Sequence, residues 1–477
     1  MTRSVALLVV TLVSVVALRA DDRRIAADPD GTTPLHWAVR AGDVATVKRL
    51  LREGADARAT NRYGVTPLAI AAENGDAATI DLLLSAGADA NGTLSNGQTM
   101  LMIATRTGTP AAIQALIAHG ALVNGTEHVL GESALIWASA ENHAEAIGIL
   151  VGAGADVNAR SNELRFPRRD YGDGKSGRFT VLPRGGWTPL MYAARQDARD
   201  ALRALTAAHA DLNATDPDGS TALTLAIINA HYDTASFLLE QGADPKVADT
   251  RGMTPLYAAV DMHTLDETPG RPAPKMLDSI DSVGMIERLL ARGADPNAPL
   301  TATILERVHN NADPVLGEGA TPLMRAARKA DEAATRVLLD HGADPNAAMK
   351  GGVTAVMIAS GFGGQVRFAE YNPHSGTERD AAECVRLSIA HGADVNAASD
   401  SGQTALHIAA AQRGDEFIRL LVSSGARLDA RDKQGHTPLD VASGAGGGRG
   451  RGRAPVARPG TAALLRELIA ARSPTRQ

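Results

Sequence analysis

A recurrence constrains this chain more than any other feature. A Thr or Ser followed two residues later by an aliphatic side chain appears at Thr33, Thr66, Thr99, Ser133, Thr188, Thr221, Thr254, Thr321, Thr354, Thr404 and Thr437; six of the ten spacings are 33 residues and one is 34. A unit that short cannot enclose a core of its own, so successive copies must bury their apolar faces against one another. The length of 477 residues, which would otherwise suggest about three compact domains, loses its meaning as a domain count.

Within each copy the residues specify two helices. Threonine offers an oxygen to the first free N–H groups of a helix, and a following proline suits the first turn, as in Thr33-Pro34-Leu35-His36. Alanine-rich stretches such as Leu68-Ala69-Ile70-Ala71-Ala72 keep the first helix thin. Paired leucines, Leu50-Leu51 and Leu238-Leu239, give the second its buried edge. Glycines at 54, 87, 242, 293, 342 and 392 end that helix, and Asp-x-x-Gly sites such as Asp249 to Gly252 make a tight turn. Helices this short are marginal alone, so stability must come from stacking.

The 33-residue period and the Thr-Pro-Leu-His signature resemble the ankyrin repeat. The resemblance implies an α-solenoid of about eleven stacked ankyrin repeats, each a helix-turn-helix plus a β-hairpin or turn, in an array roughly 90–110 Å long at layers of about 8–10 Å. It also implies a structural hydrogen bond at His36 and His407, and partner contacts at hairpin tips and at the outward end of the inner helix. Carried onto this sequence, those positions include Arg62, Tyr63, Glu73, Arg106, Glu141, Arg195, Gln196, Arg251, Asp261, Arg328, Lys329, Lys433 and Gln434. Their signs are mixed, which suits a folded protein better than a polyanion.

The expected organisation is a signal peptide at 1–20, repeats one to four at 28–160, an insertion at 161–185, repeats five to seven at 186–299 with an insertion at 261–281, an insertion at 300–316, and repeats eight to eleven at 317–470 with insertions at 361–378 and 443–460. Of fifteen aromatic residues, Phe166, Tyr171, Phe179, Phe362, Phe368 and Tyr371 fall in two of these insertions, beside Arg165, Arg168, Arg169, Arg178 and Arg367. Two readings stand: the rings anchor a partner, as aromatic and arginine side chains do at interface centres, or they fold back as satellite cores. The Gly-Arg run at 444–453 reads as a solvated linker.

The N-terminus reads as an address. Arg3 precedes the apolar run Val5–Leu18, which is shorter than the roughly 18–20 residues of a spanning helix, and Asp21-Asp22-Arg23-Arg24 follows. Export to the periplasm or beyond the cell, with cleavage after Ala17 or Ala20 and no span thereafter, is the expectation, and the excess of Arg over Lys and the high alanine content point to a bacterium. The single cysteine, Cys384, sits at helical spacing with Leu387 and reads as a buried structural thiol.

Chemistry is not written into the pattern. No nucleophile stands beside a base, so no catalytic residue is named. His119, His209, His341 and His391 recur at helix ends, where a cation suits the dipole, and do not form a metal cluster. Asp216-Pro217-Asp218-Gly219 lacks the later ligands of a calcium loop. The glycine run lacks the Lys-Ser/Thr of a phosphate loop. A net charge of −6 disfavours nucleic acid. No cofactor and no metal are expected. The function expected is a monomeric, non-enzymatic scaffold for a protein partner, with an inhibitor or immunity-type protein, or a host-directed effector, as alternatives. Its partner-binding residues are Phe166, Arg169, Tyr171, Phe179, Phe362, Phe368, Tyr371, Arg62, Tyr63, Arg195, Arg251, Arg328 and Lys329.

Overall fold

The computed structural model describes residues 27–164, 185–264, 278–304, 313–363, 376–445 and 457–472. These divide into two compact units, one of residues 27–164 with 185–211 and the other of 212–472. The expected signal peptide, Phe166, Arg169, Tyr171, Phe179, Phe368 and Tyr371 lie outside the described residues.

The first unit stacks five helix pairs. Inner helices Pro34–Arg40, Pro67–Asn74, Met100–Thr107, Ala134–Ala140 and Pro189–Arg195 alternate with outer helices Val44–Arg52, Ala77–Ser85, Pro110–Ala118, Ala144–Gly152 and Arg199–Ala207. The second stacks six: inner helices Ala222–Ile228, Pro255–His263, Pro322–Lys329, Ala355–Ala359, Ala405–Gln412 and Pro438–Ala442, and outer helices Tyr232–Glu240, Ser282–Ala291, Glu332–Asp340, Glu378–Ala390, Asp415–Ser423 and Pro459–Arg472. The core is aliphatic and thin, built of alanines such as Ala71, Ala104 and Ala226 against leucines such as Leu83, Leu116 and Leu238. Small residues let backbones approach, so a chain poor in aromatics still packs closely.

The threonines cap as their chemistry predicts. Thr66 Oγ1 accepts from Ala69 N at 3.1 Å and Thr254 Oγ1 from Tyr257 N at 3.2 Å. Where histidine follows, the cap is doubled and carried onward: His36 Nδ1 lies 2.8 Å from Thr33 Oγ1, and its Nε2 lies 3.0 Å from the carbonyl of Val65 in the next repeat. His407 repeats this with Thr404 at 2.9 Å and the carbonyl of His436 at 3.1 Å. Burial holds both rings below the usual histidine range, which keeps them neutral and able to serve as donor and acceptor at once.

A second stitch comes from asparagine. Asn346 Nδ2 donates to the carbonyl of Gly392 at 2.9 Å while its Oδ1 accepts from Asp394 N at 2.7 Å, and Asn91, Asn124, Asn297 and Asn396 make the same paired bonds. Each asparagine satisfies the end of the next outer helix and the turn after it, two groups the helix itself leaves open.

In most repeats the turn after the inner helix takes a left-handed residue nine positions past the capping Thr or Ser, although Arg413 at φ −110 does without it. Gly42, Gly75 and Gly108 fill it, and so do Asn142, Asp197, Ala230 and Ala330, all at positive φ. Asn142 is thus the counterpart of Gly75, and His143 precedes the outer helix at φ −92. Helix Pro255–His263 runs into the segment expected as an insertion, and the chain re-enters at Asp278, which accepts from Asp233 N at 3.0 Å.

Candidate interaction surfaces

Four residues after each capping Thr or Ser the inner helix sets a side chain beside those of its neighbours in the stack, and in the first unit the exposure of that position runs from 50% at Trp37 to 4% at Ile103. In the first unit those residues are Trp37, Ile70, Ile103, Trp137 and Tyr192. Trp37 is 50% exposed and Tyr63, on the first hairpin tip, 58%. Such rings are not required by packing, since the fold closes with alanine and leucine elsewhere. Arg62 lies over the Tyr63 ring at 4.7 Å, Arg106 over Trp137 at 6.0 Å and Arg195 over Trp187 at 5.2 Å. Each guanidinium thus covers an aromatic face while its charge stays near the surface.

Beneath them sits a half-buried carboxylate. Glu132 accepts from Tyr192 Oη at 2.7 Å and from Trp137 Nε1 at 2.9 Å, and Trp187 meets Tyr192 edge-on with centroids 5.4 Å apart. Burial pushes the Glu132 carboxyl above its usual range despite those two donors, and Glu127 adds to the rise. The same burial pushes the Tyr192 phenol up and the Arg195 guanidinium down.

The second unit differs. At the corresponding inner-helix ends it buries charge: Asp261 is ion-paired with Arg325, which is 5% exposed, and Asp313 pairs with Arg328 at 2.7 Å. His263 Nδ1 lies 2.7 Å from Asp331, which caps helix Glu332–Asp340 through Ala334 N at 3.0 Å. Arg413 reaches back to the carbonyl of Ala359 at 2.5 Å. Burial works against the Arg325 charge, but Asp261, Tyr257 and Asp313 hold it protonated. Burial raises the Asp313 carboxyl, and Arg328 more than reverses this. Burial opposes the charge on His263, and the bond to Asp331 overcomes it, so its pKa rises. These groups are paired across successive repeats, so they fasten inner helices to one another more than they offer a binding surface.

The expected site residues divide accordingly. Arg62 and Tyr63 are exposed together. Arg195 is half-buried over Trp187, and Arg251 is half-buried in a hairpin tip whose carbonyl accepts from Thr301 N at 2.9 Å. Arg328 is turned inward onto Asp313, and Lys329 is 6% exposed. Asp261, expected to face outward, is buried against Arg325. Phe362 is half-buried and its carbonyl accepts from Arg328 at 3.2 Å. Sequence reasoning missed Trp37, Trp137, Tyr192 and Glu132, and it missed Arg325. One signal was present: the position that holds Arg325 carries Trp, Ile, Tyr, Leu, Ala or Val in all the other repeats. Among the described residues no cluster of His, Cys, Asp and Glu is placed to hold a metal ion, and no helix is long and apolar enough to cross a membrane.

A family profile described as "Ankyrin repeats (3 copies)" matches residues 8–93, 70–161, 190–267 and 374–449, and one described as "Ankyrin repeat" matches 318–350. Human neurogenic locus notch homolog protein 1 is 34% identical over 141 residues, covering 27% of this chain and 6% of that protein. The neurogenic locus Notch protein of Drosophila melanogaster is 33% identical over 187 residues, covering 35% and 6%. The chain thus spans about 6% of the length of these curated relatives. Among solved structures, the ankyrin repeat domain of Bcl-3 covers 48% of this chain and 94% of that one at 27% identity and a TM-score of 0.40; the human ASB11 ankyrin repeat domain covers 55% and 99% at 22% and 0.41. With most of its length matched by the profiles, and with capped helix pairs stacked in both units, the chain belongs to the ankyrin-repeat family, forms an α-solenoid, and carries repeats of a kind that serves protein–protein interaction.

Proposed function

We propose that this protein is an exported, non-enzymatic scaffold that holds another protein against the inner-helix and fingertip face of its first five repeats. The observation that carries this is the exposure of Trp37 and Tyr63 in a chain only 3% aromatic, with Arg62 stacked on the second ring. A ring anchored in a partner pocket is worth about 2 kcal/mol or more, whereas an exposed charge pair is worth under about 1 kcal/mol. Export rests on Arg3, the apolar run Val5–Leu18 and the charged residues that follow.

The test is capture of a partner from envelope extract by the mature chain, repeated with Trp37→Ala, with Tyr63→Ala, and with residues 163–183 or 363–377 deleted. Loss of about tenfold or more in affinity for the ring variants, with melting unchanged, supports this reading. Unchanged capture by both ring variants, with loss on either deletion, would move the contact into the insertions. Fractionation tests the address: a mature chain beginning at Leu18 or Asp21 outside the cytoplasm is expected, and intact Met1-bearing protein in the cytosol would contradict it.

A further inference from the structure

Four Asn-Gly pairs occur in the sequence, Asn74-Gly75, Asn91-Gly92, Asn96-Gly97 and Asn124-Gly125. Asparagine before glycine is the pair most open to cyclisation, because glycine puts no side chain in the way of its own amide nitrogen. Whether it happens in a folded chain depends on whether the carboxamide can swing onto that nitrogen. In three pairs it is tied to the next or the preceding repeat. Asn74 Nδ2 donates to the carbonyl of Val39 at 3.0 Å, Asn91 Nδ2 to Gly120 at 3.1 Å and Asn124 Nδ2 to Gly154 at 3.0 Å; the oxygens of Asn91 and Asn124 also accept from Leu122 N at 2.7 Å and Asp156 N at 2.9 Å. Asn96 stands apart. It lies exposed on the hairpin tip between repeats two and three, its Oδ1 accepts only the 3.2 Å bond from Gln98 N, and nothing among the described residues accepts from its Nδ2.

We infer that Asn96 is a site of spontaneous covalent modification, converting through a cyclic imide to aspartate and isoaspartate ahead of the other three asparagines. The Gly97 nitrogen bonds to Cγ of Asn96, the Cγ–Nδ2 bond breaks, and ammonia leaves with the proton that the nitrogen gives up. Water then opens the imide at either carbonyl. No oxidant or other reactant is needed.

The liability follows from what the tip requires. Gly97 sits at φ +85, and a Cβ there would lie 2.7 Å from the backbone nitrogen of His128 on the next tip, so the glycine cannot be exchanged without moving a neighbouring finger. The Gly97 N–H also donates to the carbonyl of Leu94 at 2.8 Å, which slows attack but leaves the carboxamide free. Conversion places a negative charge on the tip. The isoaspartate form also routes the backbone through the Asn96 Cβ, lengthening the tip closed by the Thr93–Thr99 bridge by one carbon, and takes the carbonyl that accepts from His128 N at 3.3 Å out of the main chain as a carboxylate.

The experiment is to hold the folded full chain in mildly alkaline buffer made with heavy-oxygen water, digest it at intervals, and score each asparagine peptide by mass, with the two aspartate isomers separated. Asn96 is expected to convert first, with Asn74, Asn91 and Asn124 slower by a factor on the order of ten or more, as one or two retained hydrogen bonds imply. Asn96→Gln should silence that peptide and leave the other three rates unchanged. Conversion of Asn74, Asn91 or Asn124 at the rate of Asn96 in the folded chain would overturn the inference, and so would an inert Asn96. A denatured sample, in which all four should convert at similar rates, shows that the difference comes from the fold.

Discussion

Gly42 and Gly75 occupy the same position in consecutive repeats, both left-handed, at φ +67 and +66, but their surroundings differ. A Cβ on Gly42 meets nothing within 4 Å, whereas one on Gly75 would lie 2.3 Å from Thr109 Oγ1. Gly42→Ala should therefore cost only the left-handed penalty, about 1–2 kcal/mol, and Gly75→Ala should cost more by the energy of displacing Thr109. Chemical denaturation of the two variants measures the difference, and equal costs would mean that the turn after the second inner helix yields freely. Glu132 offers a second test. Its pKa is raised in the fold, so the folded chain holds this proton more tightly than the unfolded chain does. The associated stability is whole below the ordinary value of 4.5 and is lost as pH rises from there through the raised value. Glu132→Gln removes the ionisation while keeping an acceptor for Tyr192 or Trp137. Melting curves of wild type and variant should coincide in acid, and the variant should become relatively more stable as pH climbs past 4.5. A gap that widens in acid would reverse the sign.

At the level of helices and turns, much of the architecture was legible, because each threonine, glycine and leucine pair acts within a few residues of itself. The recurrence located both helices of nearly every repeat. The asparagine stitch was less visible: Asn346 binds Gly392 and Asp394, more than forty residues away, and nothing at Asn346 itself announces those partners. The buried pair of Asp261 and Arg325 escaped for the same reason, since each looks like an outward charge until two inner helices are brought together. Arg328 was read as outward because the resemblance puts partner contacts at the end of the inner helix; here Asp313, held on a returning insertion, draws it inward. The stitch can be tested through Cys384, which lies on the helix that Asn346 holds. Burial pushes its thiol up to about 12, with the bond from Thr335 opposing, so the folded chain should resist thiol reagents near neutral pH. Asn346→Ala removes two hydrogen bonds worth together about 1–2 kcal/mol, and labelling of Cys384 should accelerate roughly 5–30-fold. An unchanged rate would mean that those bonds are exchanged for water at no cost.

Across the whole molecule, stability in a solenoid is set by each repeat and its immediate neighbours, so distant repeats need not unfold together. The chain carries its own probes for this. All three tryptophans, Trp37, Trp137 and Trp187, lie in the first unit, and the one cysteine, Cys384, lies in the second. The repeats around Cys384 should be the weaker. In the first unit, the inner and outer helices of all five repeats are joined by short turns, as Pro34–Arg40 is to Val44–Arg52. In the ninth repeat the inner helix Ala355–Ala359 has five residues, and its partner Glu378–Ala390 begins only after a long connection, which adds loop-closure entropy to each pairing. Beside it stand the ion pairs of Asp261, Asp313, Arg325 and Arg328, whose desolvation offsets much of their attraction. A urea titration followed by tryptophan fluorescence and, in parallel, by Cys384 labelling should therefore give two midpoints, with the thiol exposed at the lower concentration. Coincident midpoints would show that the array unfolds as one cooperative body, and a thiol protected beyond the fluorescence transition would place the weak repeats in the first unit.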